Sequence, residues 1–146
     1  MMCKRSLIAI AAFWVLSTAG FVHAQQDQTA LHSNMRKLAL AIAAYMEDNA
    51  AHFPPMKTPA AMKKAVLTYA KTGSIFLDFA GGAPFVPNPY FSKKQIDNIP
   101  KSDFGLILFY DPTPDHGSHY VCLADGHIKK LSLDQWKTLK RPSKIP

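Results

Sequence analysis

The double proline Pro54-Pro55 divides this chain. Proline has no backbone N–H and clashes with the turn before it, and it pushes its predecessor out of the helical region. A helix reaching this point from upstream must therefore end before Phe53. Most of the 11 prolines fall between positions 54 and 114, so the middle of the chain is expected to be built of turns and short pieces. Long regular elements are left to the two ends.

Upstream, Leu31, Met35, Leu38, Ile42, Tyr45 and Met46 recur at spacings of three and four, which predicts a helix with one apolar face. Arg36, Lys37, Glu47 and Asp48 fall largely elsewhere, and Asp27 or Thr29 can cap its start. Phe53 is expected to fold back onto the core. Thr58-Pro59 opens a second helix, with Met62, Ala65, Val66 and Tyr69 as its stripe and Gly73 as its stop. From Ser74 to Ser102, Phe76, Phe79, Phe85, Tyr90 and Phe91 lie among breakers. This reads as an ordered, aromatic-pinned loop with room for one short strand.

Downstream, Gly105 to Tyr110 reads as a strand, Asp111 to Gly117 as a turn-rich connection, and Ser118 to Ala124 as the next strand. Asp125-Gly126 is a two-residue hairpin signal, followed by a return strand over His127 to Leu131. Ser132 to Gln135 resembles a capping box, with Leu133, Trp136 and Leu139 on one side of a short last helix. The segment 141–146 is expected to fray. The class is α+β: an N-terminal helix packed on a small antiparallel sheet of about three strands, with a short C-terminal helix.

The first 24 residues carry a secretory signal pattern. Lys4 and Arg5 precede an unbroken apolar run, Leu7 to Leu16, and the segment ends Val22-His23-Ala24. Cleavage after Ala24 would leave a single domain over residues 25–146, outside the cytoplasm. Uncut, Leu7 to Val22 would instead anchor the chain. It is 16 residues long and contains Ser17, Thr18 and Gly20, whereas a spanning helix wants about 20 apolar residues. Cys3 leaves with the signal, so Cys122 is then the only thiol and no intrachain disulfide forms. Cys122 reads as a small packed apolar residue.

The chain is basic, with a formal net charge of +7. The excess gathers at Lys129, Lys130, Lys137, Lys140, Arg141 and Lys144. Export argues against nucleic acid as the partner of that tail, and a solvated basic face explains it. No catalytic motif stands out: Gly-x-Ser-x-Gly, His-Glu-x-x-His and a phosphate-cradling glycine loop are all missing. Glu47 and Asp48 are adjacent on a helix, so their side chains diverge by about 100° rather than converge on one substrate atom. No cofactor is implied.

Asp111, Asp115, His116, His119, Asp125 and His127 crowd into 17 residues, a set able to hold a metal. With Asp125-Gly126 as the two turn residues, Ala124 would face His127 and Leu123 would face Ile128. His119 and His127 would then point to opposite sides of the sheet. Asp111, Asp115 and His116 remain as a metal-binding subset within the loop.

Two segments resemble one family. Asn34 to Asn49 followed by His52-Phe-Pro-Pro55, and His119 to Lys129 with its Asp-Gly-His turn, look like the post-anchor helix and the terminal hairpin of bacterial pseudopilin-like proteins. These carry the His-x9-Asp-Gly domain, termed prepilin-type processing-associated. The resemblance covers about a quarter of the chain. It implies a structural motif at His116, His119, Asp125, Gly126 and His127, and a non-catalytic protein related to type II secretion pseudopilins that joins a protein partner or itself. An exposed stripe of Leu38, Ile42 and Tyr45 would serve that contact. Two departures stand out. Gly20-Phe21 follows the apolar run, with no Glu behind it, so the prepilin cleavage motif is missing. His116 precedes Asp125 with eight residues between, and His119 with five. The alternative is a small exported metal- or ligand-binding module centred on residues 111–127.

Overall fold

The computed structural model describes residues 18–77 and 82–138, with side chains from residue 29 onward. The basic start and apolar run of the signal, Phe79, Leu139 and the final segment lie outside the described residues. Among the described residues the fold is α+β, with three α-helices and a four-stranded antiparallel sheet of order β1-β2-β3-β4. In chain order these are α1 (Thr18–Asp48), α2 (Pro59–Val66), β1 (Val86–Pro87), β2 (Ile107–Tyr110), β3 (Ser118–Leu123), β4 (Ile128–Ser132) and α3 (Leu133–Thr138). Among the described residues no helix is long and apolar enough to cross a membrane.

Helix α1 starts well before Asp27 and Thr29, which lie inside it rather than cap it. The intervening residues, Ala19 to Gln26, include Gly20 but no proline, so no residue there forbids helix propagation. Leu31, Met35, Leu38, Ala41 and Ile42 are buried, as their spacing requires. The helix ends where expected. Asn49 donates its side-chain amide to the Tyr45 carbonyl at 2.7 Å, and Ala51 N–H reaches Met46 O at 2.9 Å. Ala50 and Ala51 then adopt φ of 51° and 58°, an unusual region for residues with a Cβ. The chain turns back there and buries Phe53 and Met56.

Thr58 caps α2 by accepting from Ala61 N–H at 3.2 Å, with Pro59 at the first helical position. Regular helix stops at Val66, not at Gly73. Ala70 N–H bonds to both Val66 O and Leu67 O, and Lys71 takes φ 57°, so the end is a loosened turn. The middle is pinned by buried Phe76, Phe85 and Phe91 and carries a short strand, β1, which pairs with β2. Asn88, 1% exposed, ties this stretch to β2. It donates to Ile107 O at 2.7 Å and accepts from Tyr90 N–H at 3.0 Å.

The β2–β3 register shifts between Ile107 and Phe109, a bulge that inserts one residue. As a result Leu108 and Phe109 both face α1, alongside Tyr120 and Cys122. Ile107, Val121 and Leu123 face the opposite side, where Tyr110, Leu131 and Trp136 cover them. The capping box forms as its residues suggest. Ser132 N–H donates to Gln135 Oε1 at 2.9 Å, and Gln135 N–H donates to Ser132 Oγ at 3.2 Å.

Candidate functional site

The end of α1, the turn behind it and the β3–β4 hairpin enclose a cavity of about 430 Å³. Its floor is buried Ile42, Phe53 and Leu108. Met46 and Ile96 form part of its wall, and the exposed residues Ala43, Glu47, Asp125 and Gly126 surround its opening. The cavity exists because α1 presents small residues, Ala39 and Ala43, where a larger side chain would fill the space against the hairpin.

The hairpin is not the two-residue turn that Asp125-Gly126 suggests. Cys122 pairs with Ile128 and Val121 with Lys129, one position away from the expected register. Leu123 N–H donates to His127 O at 2.8 Å, so three residues, Ala124 to Gly126, form the loop. Gly126 takes φ 86°, the left-handed position that closes a three-residue hairpin and favours glycine. Asp125 Oδ1 accepts from His127 N–H at 2.9 Å and lies 3.1 Å from His127 Nδ1. The His127 backbone donor, together with its ring, holds the Asp125 carboxyl below the usual carboxylate range.

The two-residue turn lies elsewhere. Asp115 and Ser118 exchange backbone hydrogen bonds at 2.8 and 3.0 Å, with His116 at φ 45° and Gly117 at φ 75° between them. Positive φ at both central residues is the type I′ pattern. His116 is therefore a turn residue, exposed and 3.5 Å from the Asp115 carboxylate.

On the far side of the sheet lies a buried polar pair. Asp111 is 0% exposed, and its Oδ1 accepts from Tyr120 N–H at 2.8 Å. His119, also buried, sets Nδ1 at 3.1 Å from Asp111 O and 3.3 Å from Asp111 Oδ1. Both neighbours are acceptors, so Nδ1 carries a hydrogen and donates. The His119 ring stacks on Trp136, with centroids 4.4 Å apart and planes at 29°, and Trp136 also meets Tyr110 at 4.9 Å.

The histidines and aspartates thus separate into three local pairs: Asp111 with His119, Asp115 with His116, and Asp125 with His127. Among the described residues no group of three or more His, Cys, Asp or Glu is placed to hold a metal. The corrected register puts His127 opposite Leu123, on the side of the sheet that carries His119. Distance along β3 separates them, by roughly 13 Å over four residues. Leu38 and Ile42 are not a partner surface: they are 0% and 2% exposed in the protein's own core. Tyr45 is half-buried, edge-on to Tyr69 at 5.9 Å.

A scan of protein-family models, a search of curated proteins and a search of solved structures each find no match to this chain. Function is therefore read from the residues. The stacked Trp136, the buried Asn88 and the cavity were not singled out by sequence. Each depends on register or on long-range packing, and only the two alanines at 39 and 43 on one helix face hint at the space.

Proposed function

We propose that this chain is an exported, non-catalytic structural or interaction protein of pseudopilin-like design, related to the pseudopilins of type II secretion. One observation carries the reading. A long N-terminal helix lays its stripe across an antiparallel meander, and the two segments of family resemblance meet at one place, where the end of α1 faces the Asp125-Gly126 turn. The polar residues support the non-catalytic part, because their bonds are spent on the fold. Asp48 accepts from Tyr69 OH at 3.0 Å, Asp103 accepts from Tyr90 OH, and Asp111 accepts from a strand N–H. Glu47, beside Asp48, goes instead to the cavity. Contact with a partner or a second copy falls to apolar residues that the core leaves out, first among them Leu40, 63% exposed on α1.

The test is the intact mass and N-terminus of the protein recovered from a fractionated bacterial culture. A soluble exocytoplasmic chain starting at Gln25 is the expected result. A chain keeping Leu7 to Val22 in the membrane makes it an anchored subunit. A full-length chain in the cytoplasm overturns the export reading. The second reading, an exported ligand-binding module, has the cavity in its favour.

A further inference from the structure

We propose that the cavity between α1 and the Asp125-Gly126 turn binds a small organic cation with an apolar body. Its volume, about 430 Å³, lies within the range of about 300 to 1,000 Å³ typical of small-molecule sites. The floor of Ile42, Phe53 and Leu108 offers apolar contact without a polar group to satisfy. A ligand with an apolar body gains by leaving water there.

The sign of the charge follows from what surrounds the opening. The chain has 17 lysines and arginines against 10 acidic residues. Yet the cavity is lined by no basic residue and by two acidic ones, Glu47 from α1 and Asp125 from the hairpin. Asp125 uses Oδ1 for both of its contacts to His127. A cation at the opening meets carboxylates from two elements, that of Asp125 partly offset by the nearby Lys129 and by its contact with His127, whereas a neutral ligand gains only the apolar contact and an anion is disfavoured. The carboxyl groups are exposed, so their effect on affinity is modest and falls with salt.

The experiment uses the purified protein in the form recovered from cells, with three probes that share one apolar body, a phenyl ring on four methylenes: 4-phenylbutylamine, 4-phenylbutanol and 5-phenylpentanoate. Binding is followed by amide chemical shifts. The expected result is that the amine shifts Ala43, Met46 and Ala124 to Gly126, and binds roughly three- to fivefold more tightly than the alcohol at low salt. The carboxylate should bind most weakly. Glu47→Gln with Asp125→Asn keeps size and one acceptor oxygen at each position, and should erase the preference for the amine while leaving alcohol binding intact. Ala43→Leu should reduce binding of all three probes. An absence of shifts at these amides with every probe overturns the proposal. So does equal binding of amine and carboxylate, or an unchanged preference in the double variant. Binding is read on whichever form the cell produces, so failure here leaves the export reading standing.

Discussion

On one side of the sheet, Phe109, Tyr120 and Cys122 meet a helix stripe running from Leu31 to Ile42, and Phe85 and Phe91 close in from the middle of the chain. On the other side, Val121 and Leu123 meet Leu131 and two large rings, Tyr110 and Trp136. The first face is held by area. Its residues come from far apart in sequence and bury one another in a continuous apolar core. The second face is held by a few placed groups. Helix α3 is only six residues long, too short to persist unaided, so it depends on its capping box and on the Trp136 stack. The buried hydrogen-bonded pair Asp111–His119 sits on this thinner side. The difference separates scaffold from attachment: the α1 face sets whether the chain folds, and the α3 face sets whether that short helix is docked.

That contrast is tested most strongly by truncating one residue on each face. Leu38→Ala removes a side chain with no exposure and should cost about 3 kcal/mol in urea unfolding. Trp136→Ala removes a larger but half-exposed ring, and should cost less, about 1.5 kcal/mol. Near-ultraviolet dichroism would show α3 released while the sheet persists. If Trp136→Ala proved the more damaging, the two faces would be a single cooperative core and the distinction would fail.

Asp111 sharpens the comparison. Asp111→Ala leaves the buried Tyr120 N–H without its acceptor and His119 Nδ1 with one partner fewer. The expected loss is about 2 kcal/mol by denaturation. Asp111→Asn keeps a carbonyl oxygen and should cost less than half as much. Equal losses would mean that the charge, not the acceptor geometry, is what the site requires.

Much of the scaffold face was legible in the sequence, because its logic is local and periodic. The stripe from Leu31 to Ile42 follows the 3.6-residue period, Thr58-Pro59 forms its cap as written, and Pro54-Pro55 follows the end of α1; across the sheet the Ser132-Gln135 cap was legible too, being equally local. The other face was less legible, because it depends on register. Asp125-Gly126 fits a two-residue turn by composition, but Ala124 joins the loop and every pairing moves by one. The two-residue turn falls instead on His116-Gly117, where a histidine takes the left-handed position that glycine usually supplies. The bulge at Leu108 is equally hidden in an unbroken apolar run. The metal subset failed for the same reason: proximity in sequence put Asp111 near Asp115, whereas strand pairing gave it to His119.

The smallest effect concerns Cys122, at the boundary where β3 meets the scaffold core. Burial, reinforced by the nearby Asp125 carboxylate, pushes its thiol up to about 12 from the ordinary 9.0. The folded protein therefore holds the thiol proton more tightly than the unfolded chain does. The stability tied to this proton is fully present below pH 9 and is lost as pH rises toward 12. Between pH 8 and pH 10 the loss should be about 1 kcal/mol. Tyr69 and Tyr90 are also raised, each by its hydrogen bond to a carboxylate, so the wild type alone does not isolate the thiol. The comparison that does so is urea unfolding of the protein and of Cys122→Ala, each at pH 8 and pH 10. The variant should be less stable at pH 8 but lose less between the two pH values, so that the gap narrows at pH 10. On a Cys3→Ser background, a thiol reagent at pH 8.5 should react only as fast as the protein opens. Rapid labelling of folded protein would mean that the α1 face admits water at Cys122, and the dry, area-driven scaffold would have to be redrawn around the neighbouring hairpin.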